Sequence, residues 1–529
     1  MKDGQGAARG ADLLCSALES EGVETIFALS GNQIMPVFDA ALDTGLRLIH
    51  TRHEAAAAYA AEAHAQITGG LGVALVTAGA GLANALAPLL TARASQTPLL
   101  LLSGDSPRAG DGTGTFQEMD QVGLTQSLTK RSYRLRSADE IPRVLAELAG
   151  VAQSGTPGPV HLALPDDILR QTVQDPLPPV ARATTPAPDI GVLTAAVRNA
   201  TRPLILLGPH LSESRAPGLR KALREATGAP VLCLESPRGL RDPALGAWKQ
   251  AMAQADLILS IGKPVDFTQG FGTAAVAPQA SWHVITEDTE DASRAEVNLS
   301  DRLETLTIAD PGVTARAFAS HPARGSTASE WLAQVDALVA KRPERGGNGL
   351  TSQSLCDAVQ GRIALVREPV LICDGGEFGQ WAQSVCHAPT RIVNGVSGAI
   401  GGSIGYAIGA RAARPNATIY ALMGDGTAGF HLSEFETAAR EALPFVAVIG
   451  NDNRWNAEHL IQARDYGTDR THGCQLSDAR YDEAVCALGG FGAYVERLDD
   501  LEPALRAAEA SGLPACVNVK IDGLAAPDP

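Results

Sequence analysis

Residues Thr418–Glu458, TIYALMGDGTAGFHLSEFETAAREALPFVAVIGNDNRWNAE, decide how the rest of this 529-residue chain is read. TIYALM is a short apolar run, the signature of a parallel strand buried on both faces. Gly424-Asp425-Gly426 breaks it and leaves one carboxylate at the strand's carboxyl end. Ser433 followed by Glu436 spells a capping box, which predicts a helix from there to about Ala442, with Pro444 just past its end. PFVAVIG is a second apolar strand, ending at Asn451-Asp452-Asn453. A right-handed strand–helix–strand unit lays its two strands parallel in one sheet. Asp425 and Asp452 therefore both fall at strand carboxyl ends, where open α/β sheets bind ligands.

Two hard oxygen donors, with glycines that let backbone come close, suit Mg²⁺, which shares itself readily with phosphates. A GDG, roughly 25 residues and an Asn/Asp pair form the thiamine-diphosphate binding signature. In this the chain resembles the acetolactate synthase, pyruvate decarboxylase and benzoylformate decarboxylase superfamily, whose relatives include benzaldehyde lyase and 2-hydroxyacyl-CoA lyase. Gly110-Asp111-Gly112 is also a GDG, but no Asn/Asp pair follows at the right distance, and it reads as a surface turn.

A chain of this length holds two to four domains, and 45% hydrophobic residues supply real cores. A net charge of −16 argues against a nucleic-acid surface. It also requires an anionic cofactor to be held locally, by metal and backbone N–H groups. The eight cysteines form no CxxC and no His-linked metal spacing, so they read as buried reduced thiols. No signal core and no membrane-spanning stretch is visible, so a cytoplasmic enzyme without membrane partners is expected.

VETIFAL, LRLIHT, GVALVT, PLLLLSG and GPVHLAL read as the strands of a first doubly wound α/β domain, residues 1–175. ADLLCSALES and the Ala-rich run after Glu54 read as its helices. The proline-rich QDPLPPVARATTPAPD is a linker. PLILLG, PVLCLE, LILSIG and WHVITE mark a central α/β domain at 190–335, and KRPERGGNG a second linker. From 350 to 529, PVLICDGG, TRIVNG, TIYALMG, PFVAVIG and ACVNVKI give a third parallel sheet. Three such domains match the pyrimidine, central and diphosphate domains of the superfamily, so the resemblance covers nearly the whole chain.

Thiamine chemistry needs a carboxylate against the pyrimidine ring, to help release the thiazolium C2 proton. Arg52-His53-Glu54-Ala55 matches the family's pattern for it, which implies that Glu54 is catalytic and binds cofactor. Thr77-Ala78-Gly79-Ala80-Gly81 and Asn84 resemble the loop that backs the pyrimidine. Asp374-Gly375-Gly376-Glu377-Phe378 corresponds to the loop covering the diphosphate, where synthases have Gln-His in place of Glu377-Phe378. A carboxylate is unwelcome beside a diphosphate, so Glu377 is expected to point elsewhere or to bond through a proton. Gly398-Ala399-Ile400-Gly401 matches the segment whose apolar residue, here Ile400, wedges the cofactor into a V. Gly424, Gly426, Thr427, Trp455 and Asn456 complete the cofactor contacts. The implied metal ligands are Asp425, Asp452 (Asn in most relatives) and the carbonyl of Arg454.

Asn32, in Ser30-Gly31-Asn32-Gln33, falls on the loop facing the reacting carbon. Pyruvate decarboxylases place an acid there and a His pair near Gly112-Thr113-Gly114; both are missing. Phe116-Gln117-Glu118 and Thr129-Lys130 resemble the synthases' active-site Gln and Lys. Gly262-Lys263-Pro264-Val265-Asp266-Phe267-Thr268 lacks their Asp-Asp-Arg, and the Met-His-Gly flavin segment is absent, so no FAD is expected. Glu458, with Trp455, Asn456, His459 and His431, forms a candidate acid/base cluster. The expectation is thiamine-diphosphate- and Mg²⁺-dependent C–C cleavage or formation beside a carbonyl, on a 2-oxo acid or hydroxyketone. The alternatives are a 2-hydroxyacyl lyase, a C–C hydrolase of a dione, or a non-enzymatic regulatory relic. An acyl-CoA lyase is disfavoured by the short segment after VNVKIDG. The family implies an obligate homodimer, with a homotetramer as the larger alternative.

Overall fold

The structure is a computed structural model that describes residues 8–181, 185–323, 328–343, 349–394 and 397–527. Residues 182–184 of the first linker, 344–348 of the second and Gly395 of TRIVNG lie outside the described residues.

Three parallel sheets carry the fold. A two-residue strand β1 (Ala8–Arg9) pairs antiparallel with β8 (Thr172–Val173) and ties the two ends of the first domain together. Between them lie β2 (Thr25–Ala28), β3 (Arg47–His50), β4 (Gly72–Val76), β5 (Leu99–Asp105), β6 (Arg131–Arg134) and β7 (Pro159–Pro165), in the order β3-β2-β4-β5-β7-β6. The central sheet comprises β9 (Pro203–Leu207), β10 (Val231–Cys233), β11 (Leu257–Ile261), β12 (Ser281–Thr286) and β13 (Leu303–Ile308), ordered β10-β9-β11-β12-β13. The third holds β14 (Pro369–Cys373), β15 (Thr390–Val393), β16 (Thr418–Gly424), β17 (Val446–Asn451), β18 (Phe491–Val495) and β19 (Ala515–Lys520), ordered β15-β14-β16-β17-β19-β18. Counted from its own first strand, the third sheet repeats the order of the first. Both have a switch point where consecutive connections leave in opposite directions, between β2 and β4 and between β14 and β16.

The apolar runs read from sequence are these strands. β6, β13 and β18 were not read: each is a sheet edge and mostly half-exposed, so β6 carries polar residues throughout, β13 alternates them and β18 is broken by Gly492. The capping box is a correction. The helix Glu434–Arg440 does start there, but Ser433 is itself helical (φ −61°, ψ −19°) and its side chain caps nothing. Its hydroxyl therefore cannot reach back to the N3 amide. Glu436 bonds Arg440 and Arg52 instead.

The helix Glu54–Thr68, EAAAAYAAEAHAQIT, is buried on nearly every side because about half of its residues are alanine. It lies against the helix Ser403–Ala413 of the third domain, and one continuous core runs through both sheets. The approach is backbone to backbone. A Cβ on Gly405 would lie 3.1 Å from the Ala56 carbonyl oxygen, and one on Gly409 2.0 Å from that of Ala60. Fully buried Glu62 accepts from the hydroxyls of Thr91 (2.9 Å), Ser95 (2.6 Å) and Tyr406 (3.1 Å), which joins the two domains again. Burial raises its carboxyl above the usual range against these bonds. The central domain is fastened by Gln96 to the Gly262 carbonyl (2.6 Å) and by the Arg391–Glu235 pair (2.8 Å). Among the described residues no helix is long and apolar enough to cross a membrane, and all eight cysteines are unpaired.

Candidate active site

His53 starts the Glu54 helix, its Nδ1 accepting from the Ala55 amide (3.1 Å). The Arg52 amide donates to Glu434 (3.0 Å), which fixes the helix start against the third domain. The Glu54 carboxylate accepts from Asn84 Nδ2 at 3.0 Å. A Cβ on Gly81 would stand 2.8 Å from Thr77 and 3.5 Å from Glu54, so the glycine keeps that corner open. The Thr77 hydroxyl donates to Gln33 Oε1 and Gln33 Nε2 donates to Gln117 Oε1, both at 2.8 Å. Gln117 has φ +61°, and Gly79, opposite, has room for no side chain: its Cβ would lie 3.1 Å from that of Gln117. Glu54, Thr77, Gly79, Asn84 and Gln117 thus meet at the carboxyl ends of β2 and β4. Asn32 does not join them; it is exposed, and its neighbour Gln33 is the buried member of the network. Gln33 escaped the sequence reading because a glutamine in a polar loop carries no pattern.

In the third domain the corresponding crevice is built around two aspartates. Asp374 is wholly buried and committed: it accepts from Gly375 N, Asn394 Nδ2, Gly401 N and the Ser403 hydroxyl. It thereby pins the segment holding Gly398 (φ +74°) and Ile400, whose side chain covers Gly375. Asp425 keeps one oxygen open. It is 2% exposed, and its Oδ2 has no hydrogen-bond partner. Burial pushes its carboxyl up to about 6, against the amides of Gly426, Asn453 and Arg454. Asp452 is pushed up to about 7, by burial and then by the Asp425 charge. The side-chain oxygen of Asn453, Nε of Arg454 and both amide atoms of Asn456 are likewise buried without partners. Gly424 supplies the carbonyl that the Thr427 hydroxyl bonds (2.8 Å), and the Trp455 ring lies over Gly426.

Glu377 has protein partners of its own. It accepts from the Ala526 amide, pairs with Arg238 (3.6 Å), and is raised by burial, with Glu458 adding repulsion. Gly376 (φ +78°) opens its helix, and Phe378 is packed on Gly450 at the end of β17. Glu458 is exposed on the first turn of the helix Asn456–Tyr466. His431 is not beside it: its ring lies against His53 and Tyr59, and Nδ1 donates to the Gly401 carbonyl.

Among the described residues no three His, Cys, Asp or Glu side chains are grouped to hold a metal. Asp425 and Asp452 would therefore need further oxygens, as phosphates provide. The unpartnered buried atoms around them fit an anionic, metal-bound group, and the Glu54–Asn84–Thr77 corner fits a heteroaromatic ring with polar edges.

The family model of the thiamine pyrophosphate enzyme N-terminal TPP binding domain matches residues 8–124, and that of the C-terminal TPP binding domain matches residues 374–519. A probable acetolactate synthase of Mycobacterium bovis is 30% identical, covering 96% of this chain and 95% of its own length. 2-hydroxyacyl-CoA lyase 2 of Homo sapiens is 28% identical (97% and 90% covered), and the acetolactate synthase isozyme 2 large subunit of Escherichia coli 29% (97% and 96%).

Proposed function

The chain belongs to the thiamine pyrophosphate enzyme family, and from that membership we propose a Mg²⁺-dependent cytoplasmic enzyme that decarboxylates a 2-oxo acid, with or without carboligation. One observation carries the reading: the chain holds both halves of a cofactor site, Glu54 on Asn84, and Asp425 with a buried unpartnered oxygen facing Asp452. When bound, thiamine pyrophosphate supplies an electron sink for the bond broken beside a carbonyl. Glu54 holds a proton at the pyrimidine edge of that site. Asp425, Asp452 and the Arg454 carbonyl ligate the metal, while Thr77, Gly79, Gly398, Ile400, Gly424, Gly426 and Thr427 shape the walls. Gln117, fixed by Gln33, orients a substrate oxygen, and Glu458 exchanges a proton with it. Glu377 is reserved for Arg238 and Ala526 and leaves the diphosphate alone.

Phe116, 73% exposed beside Gln117, and Phe430, 53% exposed beside Trp455, are the aromatic rims of the two half-sites. Such rims suit coverage by a second copy, so Glu54 and Asp425 of one chain serve different sites and the smallest active unit is a homodimer. A 2-hydroxyacyl or hydroxyketone lyase is the second reading, favoured by the similarity to 2-hydroxyacyl-CoA lyase 2. No flavin belongs to either reading.

The test is a substrate screen on protein loaded with thiamine pyrophosphate and Mg²⁺. It follows CO₂ release and aldehyde or ketone products, with an absorbance spectrum of the purified protein. CO₂ release from a 2-oxo acid is expected. Aldehyde release from a hydroxyacyl or hydroxyketone compound without CO₂ selects the second reading, and a stoichiometric flavin overturns the proposal for the central domain.

A further inference from the structure

Asp425 and Asp452 put two carboxylates at the ends of adjacent strands. A diphosphate brings further negative charge, and one divalent cation does not balance the sum. Backbone N–H groups help, but an acidic protein needs a local cation as well. Arg238 is spent on Glu377. Arg454 is not spent. It lies two residues past Asp452, held in place by a bridge between its backbone and Gln475, while the Trp455 amide donates to the Cys474 carbonyl (2.7 Å). Its guanidinium thus brings a positive charge to the strand end where the two carboxylates stand. Among the described residues no carboxylate lies within 4 Å of that guanidinium in an ion pair, and Nε is shielded from solvent with no hydrogen-bond partner. An arginine serving only solubility would have its Nε in water. A shielded, unpartnered guanidinium edge beside other unpartnered polar atoms is the arrangement that an oxyanion completes.

We propose that the Arg454 side chain is a binding group for the anionic end of the cofactor, and that it offsets the charge Asp452 adds, so that the two residues act as a compensating pair. This rests on the site being one for thiamine pyrophosphate and Mg²⁺, and it gives Arg454 a second role beside that of its carbonyl. The guanidinium replaces the attraction that an aspartate, in place of a neutral ligand, takes away.

The experiment is a double-mutant cycle in cofactor affinity, measured by calorimetry with thiamine pyrophosphate at saturating Mg²⁺, with thermal melting of each variant as the check on folding. Arg454→Met should weaken binding at least about tenfold, and Arg454→Lys, which keeps the charge, should recover most of it. Asp452→Asn in the Arg454→Met background should restore affinity to within about threefold of Asp452→Asn alone, since the charge to be offset is gone. Wild-type affinity in Arg454→Met, or strictly additive losses in the double variant, overturns the proposal. If Arg454→Met does not fold, Arg454→Gln takes its place in the same cycle with the same two outcomes. A wild-type protein that binds no thiamine pyrophosphate with Mg²⁺ brings down the reading of the site and this pair with it. Wild-type binding that survives loss of the guanidinium refutes the pair alone.

Discussion

Replacing Gly409 by alanine tests whether the helix that carries Glu54 is seated on the third domain by direct backbone contact. Two effects of opposite sign compete. In a helix interior, alanine is favoured over glycine by about 0.5–1 kcal/mol. Against this, the new Cβ would stand 2.0 Å from the Ala60 carbonyl oxygen. That oxygen belongs to a helix buried among alanines, so no flexible side chain can move aside. Recovering ordinary contact means parting the helices by more than an ångström, and such overpacking costs about 1–3 kcal/mol, occasionally more. The clash wins, and Tm falls by about 2–4 °C for each kcal/mol of net loss. Gly361 is the internal control: it too is inside a helix, Ser352–Ile363, but its Cβ would meet nothing within 4 Å. Gly361→Ala should therefore raise stability by about 0.5–1 kcal/mol. Both are read by urea and thermal unfolding of the protein without cofactor. Because Glu54 opens the displaced helix, thiamine pyrophosphate affinity should fall with Tm. A Gly409→Ala protein as stable as wild type or more so, beside a stabilised Gly361→Ala, would refute the direct seating of the two helices.

Two further outcomes follow from the same coordinates. His161 is fully buried among the hydroxyls of Ser103, Thr125 and Ser132, and burial holds its pKa down to about 3. Its contribution to stability is complete above the unfolded value of about 6.5 and is lost as pH falls toward 3, about 1.4 kcal/mol per unit. Urea unfolding at pH 4.5 and 7 should differ less in His161→Gln than in wild type, and an unchanged difference counts against the assignment. Glu54→Gln and Asp425→Ala chains, each inactive alone, should regain about half of wild-type activity when isolated as a mixed dimer, since one of its sites then has both residues intact. A mixed dimer that is folded and cofactor-loaded yet dead places both residues in one site within a chain.

What the sequence revealed was what local pattern encodes. Buried parallel strands are unbroken apolar runs, and a loop that must bring backbone and carboxylate to one point needs glycine and aspartate at fixed spacing; both survive in one dimension. β6, β13 and β18, one edge strand of each sheet, were lost, since an edge tolerates Arg131-Ser132-Tyr133-Arg134 as readily as a loop does. The partners of Glu377, Arg238 and Ala526, lie in another domain and at the far end of the third, beyond any local pattern. Ser433 failed as a cap because its own backbone is helical, and its neighbours Glu434 and Glu436 are engaged by Arg52 of the first domain, a contact that no local pattern shows. Gln33 became visible only when β2 and β4 brought it within 2.8 Å of Thr77 and Gln117.

The two outer sheets share one strand order, so topology provides the same crevice twice, and the residues that follow the two switch strands decide what each crevice can hold. After β2 and β4 come Gly31-Asn32-Gln33 and Thr77 to Asn84, a set of amides, hydroxyls and glycines with one carboxylate brought in by Glu54. After β14 and β16 come Asp374, which braces the loop, and Asp425, which keeps one oxygen without a partner, joined by Asp452 at the end of β17. The first set can read the edge of a neutral ring; the second can hold a metal and, through it, a polyanion. The central sheet begins with the same order, but its switch strands β9 and β11 lead into Pro209-His210 and Lys263. There His210 is bonded to Gln96, and Lys263 is buried and paired with Asp266 at 3.6 Å. One nitrogen of His210 fastens the domains through Gln96, while its Nε2 is buried without a partner. The division of labour proposed for this chain thus rests on which residue types stand at equivalent strand ends: carboxylates beside the outer switch strands, a histidine and a paired lysine after the central ones.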